Sequence, residues 1–183
     1  TIIPNALETC YYKDSLVAVP LYIDIALMFY RDDLLRKFSD YPELKKQLDE
    51  SITWEKFIEL SKRFNINTNP FYIFQADDYE GLICSFTELM ANQNNPVVDA
   101  NGNLKLDTPE GKKSLQLLVD LVNKYNASPK SVTYLKENES YNLFAKDNGV
   151  FIRSWPSMID NDNEFMNDEM KSNLRMAPMP HFM

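Results

Sequence analysis

The sequence predicts an α/β fold in which helices flank both faces of a mixed, mostly parallel sheet. Two observations carry that prediction. Short apolar runs with strand character alternate with amphipathic segments of helical period. The connections between successive runs are helical and about ten residues or longer, as crossovers between parallel strands require. The chain has 183 residues, 44% of them hydrophobic and 13% aromatic, which suits one domain or one large lobe with a proper core.

In chain order, residues 16–19 form a short apolar run closed by Pro20, and residues 21–30 are rich in aliphatic and aromatic side chains. Together they read as extended chain bent at the proline, with residues 22–30 a buried strand interrupted by Asp24. Residues 32–38 read as a short helix, and residues 41–50 as a second, charged one with Pro42 in its first turn.

A clearer helix spans residues 52–64. Thr53 is a good N-cap, and Trp54, Phe57, Ile58 and Ser61 recur on one face. Residues 71–75 have strand character. Residues 79–92 return to helical period through Leu82, Ile83, Phe86, Leu89 and Met90. The run 97–106 reads as a hairpin around Asn101-Gly102, a pair that tolerates the left-handed φ of a tight turn.

The strongest helix signal follows, with Thr108 as N-cap, Pro109 at the first helical position, and a stripe of Leu115, Leu118, Val119 and Val122. A helix over 137–146 leads to Gly149 and a strand over 150–154, which Trp155-Pro156 ends. A polar helical stretch and a last strand over 174–179 complete the pattern.

Composition excludes several function classes. A net charge of −8, with basic residues scattered, disfavours a phosphate backbone or an anionic membrane surface as partner. No apolar run reaches the roughly 20 residues needed to span a bilayer. Cys10 and Cys84 make no disulfide framework; they can be a pair or two small buried thiols. Phosphate-loop and zinc-ligand spacings are absent, so no cofactor is expected. The acidic alternation from Asp160 to Glu164 lacks the glycine and closing Glu of a calcium loop, since Phe165 and Lys171 stand there. His181 has no evident Cys or carboxylate partner. The chain starts at Thr1 without a signal peptide and is expected to be a piece of a longer protein.

Six segments, in order, resemble the extracellular solute-binding proteins of sugar ABC importers. The first runs from Tyr12-Lys13-Asp14-Ser15 to Ala18-Val19-Pro20, followed by Met28-Phe29-Tyr30-Arg31-Asp32-Asp33-Leu34-Leu35. Thr53-Trp54-Glu55-Lys56-Phe57 is similar to the family's "T-W-x-E-L" helix start. Tyr79-Glu80-Gly81-Leu82-Ile83-Cys84-Ser85-Phe86-Thr87-Glu88 is similar to a helix start of the branch that binds trehalose, maltose and related glucosides. Asp107-Thr108-Pro109-Glu110-Gly111 and Phe144-Ala145-Lys146-Asp147-Asn148-Gly149-Val150-Phe151 with Trp155-Pro156 supply the rest.

This resemblance implies one lobe of a type II periplasmic binding protein. It further implies a leading hinge segment over residues 1–20, most of the C-terminal lobe over 21–175 and a hinge exit over 176–183. The N-terminal lobe and terminal helices would lie outside. It also implies a monomer that captures an oligosaccharide or disaccharide and docks on membrane permease subunits, held outside the cytoplasm as a lipoprotein.

A sugar offers hydroxyls and weakly apolar ring faces, so its site needs an aromatic platform beside short acceptors. Trp155 sits at a strand end, where open α/β sheets place ligands, and is the expected platform; the plainer reading is a core tryptophan. Asp77, Tyr79 and Glu80 lie between a strand and a helix start and are the expected acceptors and second ring; an acidic helix start alone would also account for the acids. Asp24, in an apolar run, needs a partner or a wet cleft. Arg153 shares a strand face with Trp155, as a ligand contact or, more simply, in a salt bridge within the lobe. Two rival functions remain: a glycoside hydrolase using Asp77 and Glu80, and a surface glycan-binding protein with no importer.

Overall fold

The computed structural model describes residues 3–99, 101–160 and 166–183. Its centre is a four-stranded sheet built from β3 (Leu27–Arg31), β4 (Tyr72–Ile73), β5 (Phe151–Ser154) and β6 (Leu174–Ala177), in the order β4-β5-β3-β6. β4 pairs with β5 in parallel, whereas β3 runs antiparallel to both β5 and β6. The sheet is mixed, as expected, with three strands pointing one way. Parallel pairing is nevertheless confined to β4–β5, because the reversed β3 is inserted at the centre. Phe29 stands opposite Ile152 on one side and Met176 on the other.

Strand β3 is shorter than the apolar run around it. Residues 22–26 take no regular structure, and Leu21 and Tyr22 are 92% and 77% exposed. The expected buried strand over 22–30 is therefore confined to its second half, and Asp24 is exposed rather than embedded in apolar surroundings.

Preceding it are two elements with no clear sequence signal, α1 (Pro4–Glu8) and a hairpin of β1 (Tyr11–Tyr12) and β2 (Ser15–Leu16). Lys13 and Asp14 turn that hairpin with φ of 46° and 60°, the positive values that a two-residue turn needs to match the strand twist.

An aromatic cluster joins the sheet to the helices on one face. Phe57 lies 4.8 Å from Phe71 and 4.9 Å from Phe151, ring centre to ring centre, and all three are fully buried. Phe57 belongs to α4 (Trp54–Ser61), where the Thr53 hydroxyl accepts the Lys56 amide at 3.3 Å, the expected cap. Two short helices, α2 (Asp32–Leu35) and α3 (Tyr41–Asp49), lead from β3 to this layer.

α5 (Glu80–Ala91) packs against α6 (Pro109–Asn123), whose cap is Thr108 accepting the Gly111 amide at 3.0 Å. The buried stripe of α6 is rotated from expectation. Leu117, Leu118, Leu121 and Val122 are buried, whereas Leu115 and Val119 remain 56% and 44% exposed beside an apolar groove with Phe74 and Leu82. On α5 the buried residues include Gly81 and Ser85, and Ile83 faces out. Small residues are buried there because neighbouring groups come close, which periodicity of large apolar residues does not register.

α7 (Glu137–Lys146), and α8 (Ser157–Asp160) and α9 (Asp168–Asn173) within the polar stretch, follow the predicted order. The 97–106 segment closes by a bridge between Val98 and Leu104, with the Asp99 carboxylate accepting the Asn101 and Asn103 amides and Gly102 at φ 83°. The 161–165 part of the acidic run lies outside the described residues. His181 docks the tail: its carbonyl accepts from the Trp54 amide, its amide donates to Ile52, and its Nδ1 lies 2.9 Å from the Ser51 hydroxyl. Among the described residues Cys10 and Cys84 are free thiols, no helix is long and apolar enough to cross a membrane, and no side-chain cluster could hold a metal ion.

Candidate functional site

The reversal of β3 decides where the site lies. Leu27, the first residue of β3, pairs with Ser154, the last of β5, so the chain entering β3 meets the chain leaving β5. Tyr22 and Asp24 arrive at this edge from the N-terminal side, and Trp155 leaves it. The first two turns of α5 and α7 bring Glu80, Cys84, Glu137, Asn138 and Tyr141 to the same edge. With Ser157 they line an open cleft of about 520 Å³. It sits at the carboxyl ends of β4 and β5, the usual ligand position in open α/β sheets.

Trp155 is half-buried, and its indole is covered from behind. The Arg153 guanidinium lies 4.3 Å from the ring centroid, within cation–π range. Arg153 itself is 1% exposed. Its Nε donates to Glu88 at 3.0 Å, its Nη2 donates to the other Glu88 oxygen, and its Nη1 donates to Gln75 at 3.1 Å. Gln75 returns a bond to the Arg153 carbonyl at 3.1 Å. Burial works against the guanidinium charge, yet the bonds to Glu88 outweigh it and its pKa is raised. Arg153 is therefore part of a buried network behind the ring and does not line the cleft, as the salt-bridge reading has it.

The loop before α5 separates into two parts. Glu80 is exposed and lines the cleft. Asp77 and Tyr79, expected beside it, do not line it. Asp77 lies 3.9 Å from Lys136, and Tyr79 donates its hydroxyl proton to Glu137 at 2.8 Å. Burial and that bond to Glu137 both push the Tyr79 phenol well above its ordinary range, so it stays a donor. Tyr79 thus ties the start of α5 to the start of α7 and holds Glu137 at the rim. Of the acidic pair that a hydrolase would use, Glu80 alone lines the cleft.

Over residues 2–182 the chain matches the family described as bacterial extracellular solute-binding protein. It belongs to that family. The chain is 31% identical to a probable ABC transporter-binding protein of Deinococcus radiodurans over 143 residues, 78% of this chain and 33% of that one. Over 148 residues, 80% of this chain and 31% of the other, it is 23% identical to an arabinooligosaccharide-binding protein of Halalkalibacterium halodurans. Among solved structures, the maltose-bound MalE3 of T. maritima is similar with a TM-score of 0.81 and 29% identity, over 98% of this chain and 44% of that one. The chain spans about a third of the length of these curated relatives and less than half of the solved structure. Family membership implies a periplasmic or extracellular location.

Within this solute-binding fold, three of the six sequence-predicted site residues, Trp155, Asp24 and Glu80, come together in the cleft. Sequence reasoning missed Tyr22, Cys84, Glu137, Asn138, Tyr141 and Ser157. Tyr141 is buried, and its oxygen accepts the Ser154 hydroxyl at 2.9 Å, bracing the end of β5. Glu137 and Asn138 carried a findable signal: an acidic, polar helix start, though α7 follows a helix and a short 3-10 turn rather than a strand as α5 does. Tyr22 had none, because its apolar neighbours made it read as part of a buried strand.

Proposed function

We propose that this chain is most of one lobe, the C-terminal one, of a two-lobed protein that captures a disaccharide or oligosaccharide for an ABC importer. The observation that carries the reading is the half-buried Trp155 ring, backed on one face by Arg153, in a cleft that also presents Asp24, Glu80, Glu137 and Asn138. One aromatic face beside several hydroxyl-binding side chains suits a sugar ring. The three carboxylates give no support to an anionic ligand.

Two further features support a second lobe. The chain covers only part of its relatives. Val17, Val19, Leu21, Tyr22 and Ile25 are all exposed in one stretch, an apolar surface of the kind that marks contact with another body. In this reading residues 1–20 and 176–183 carry the hinge crossings, the two lobes close over the ligand, and the closed monomer docks on permease subunits. A lipid anchor on the full-length protein would keep it at the membrane. Sugar-capturing relatives favour this over catalysis, since the MalE3 structure was solved with maltose.

Calorimetry of the full-length protein against mono- and disaccharides tests the reading. Trp155→Ala should lower affinity at least tenfold, about 1.4 kcal/mol. Unchanged affinity would sink the proposed platform. The 183-residue chain alone, with about half the cleft, should bind no better than about millimolar.

A further inference from the structure

The polar network behind Trp155 does not line the cleft, yet it spans three elements. Arg153 comes from β5, Gln75 follows β4, and Glu88 lies in α5 two turns beyond Glu80. The guanidinium is buried, binds both Glu88 oxygens and Gln75, and lies over the indole at 4.3 Å from its centroid. A planar, forked cation held from three sides has one orientation, and the ring lying on it inherits that orientation. The same helix that fixes the cation carries Glu80 and Cys84 into the cleft.

We infer that Arg153 is a positioning residue for ligand binding: with Glu88 and Gln75 it fixes the plane of Trp155 and registers the ring against the acceptors on α5. This deepens the sugar-binding reading and rests on it. The network covers one face of the indole, so a ligand ring stacks on the opposite face only. A lysine at position 153 would keep the charge but lose the flat surface and the fork.

The test uses full-length protein labelled with 5-fluorotryptophan, the Trp155 fluorine resonance being assigned with Trp155→Phe. Three variants, Arg153→Met, Arg153→Lys and Glu88→Gln, are compared for that resonance and for sugar affinity. Arg153→Met should shift and broaden the Trp155 resonance and lower affinity about tenfold. Arg153→Lys should recover little of either, and Glu88→Gln should shift the resonance with a smaller loss. A folded Arg153→Met with both readouts unchanged overturns the inference. Should Arg153→Met fail to fold, an unmoved Trp155 resonance in Glu88→Gln overturns it instead. The two readings fail separately. If Trp155→Ala keeps full affinity, the sugar platform falls. If Trp155→Ala loses affinity while the Arg153 and Glu88 variants keep both readouts, only the positioning role falls.

Discussion

The ring of Tyr79 lies against Gly81 so closely that a β-carbon on Gly81 would collide with the phenol, and would sit 2.9 Å from the Gln75 Cβ. Glycine at this position lets the tyrosine fold back over the start of α5 and reach Glu137. Gly81→Ala is expected to destabilise the protein by about 1–3 kcal/mol, as overpacked sites do, despite the gain in helix propensity. Thermal unfolding measures it. Combining the change with Tyr79→Ala should reduce its cost, because the colliding ring is gone; equal costs in both backgrounds would locate the strain elsewhere.

Two carboxylates from one short loop should behave differently. Glu80 is exposed in the cleft, while Asp77 is half-buried beside Lys136. Glu80→Gln in the full-length protein is expected to weaken sugar binding by about 1 kcal/mol, the net scale of one ordinary hydrogen bond, since the amide keeps one accepting oxygen but loses the charge. Asp77→Asn should change it less than about twofold. Calorimetry separates the two, and the reverse order would mean that Asp77 turns into the cleft when ligand binds.

Acid should act through Arg31 and Asp33. The guanidinium donates to both carboxylate oxygens at 2.7 Å, and these hydrogen bonds hold the Asp33 pKa below its ordinary value. Its folded pKa therefore lies below its unfolded one, near 4. The stabilisation is fully present above that unfolded value and is lost as pH falls through the folded one. Asp33→Asn should accordingly lose less stability than the parent between about pH 5 and the acid limit. Denaturant midpoints across that range provide the check.

Thr108 does more than cap α6. Its hydroxyl accepts the Gly111 amide at 3.0 Å and also the side-chain amide of buried Asn95 at 2.8 Å. Thr108→Ala should cost about 1 kcal/mol for the cap, with a further loss because Asn95 keeps only its Glu110 partner. Thr108→Ser should restore most of it. A urea midpoint for each variant decides.

Local chemistry was legible where a single residue type answers a single local need. Thr53 and Thr108 marked their helices because only a short side-chain oxygen satisfies the first-turn amides, and Pro109 marked the first helical residue of α6. Periodicity found α5 and α6 but set their buried faces partly wrong. It counts large apolar residues, whereas burial of Gly81, Ser85 and Ser114 depends on what lies opposite. The aromatic at 155 stood out as a candidate from its place after a strand, and the cleft includes it.

By itself, the sequence determined the alternation of strands and helices and the caps that bound them, and it offered Trp155, Asp24 and Glu80 among its candidate site residues. The tertiary structure alone decided that β3 runs against its neighbours, which carries Tyr22 and Asp24 to the edge where Trp155 leaves β5. It also decided that Arg153 backs the indole while Asp77 and Tyr79 turn to α7 and the residue before it. The physical reason is range. A cap or a stripe is settled within a few residues, but the direction of β3 depends on its pairing with the distant β5 and β6, and the support behind the indole on Glu88 and Gln75, 65 and 78 residues before Arg153, a pairing chosen by the packing of the whole core.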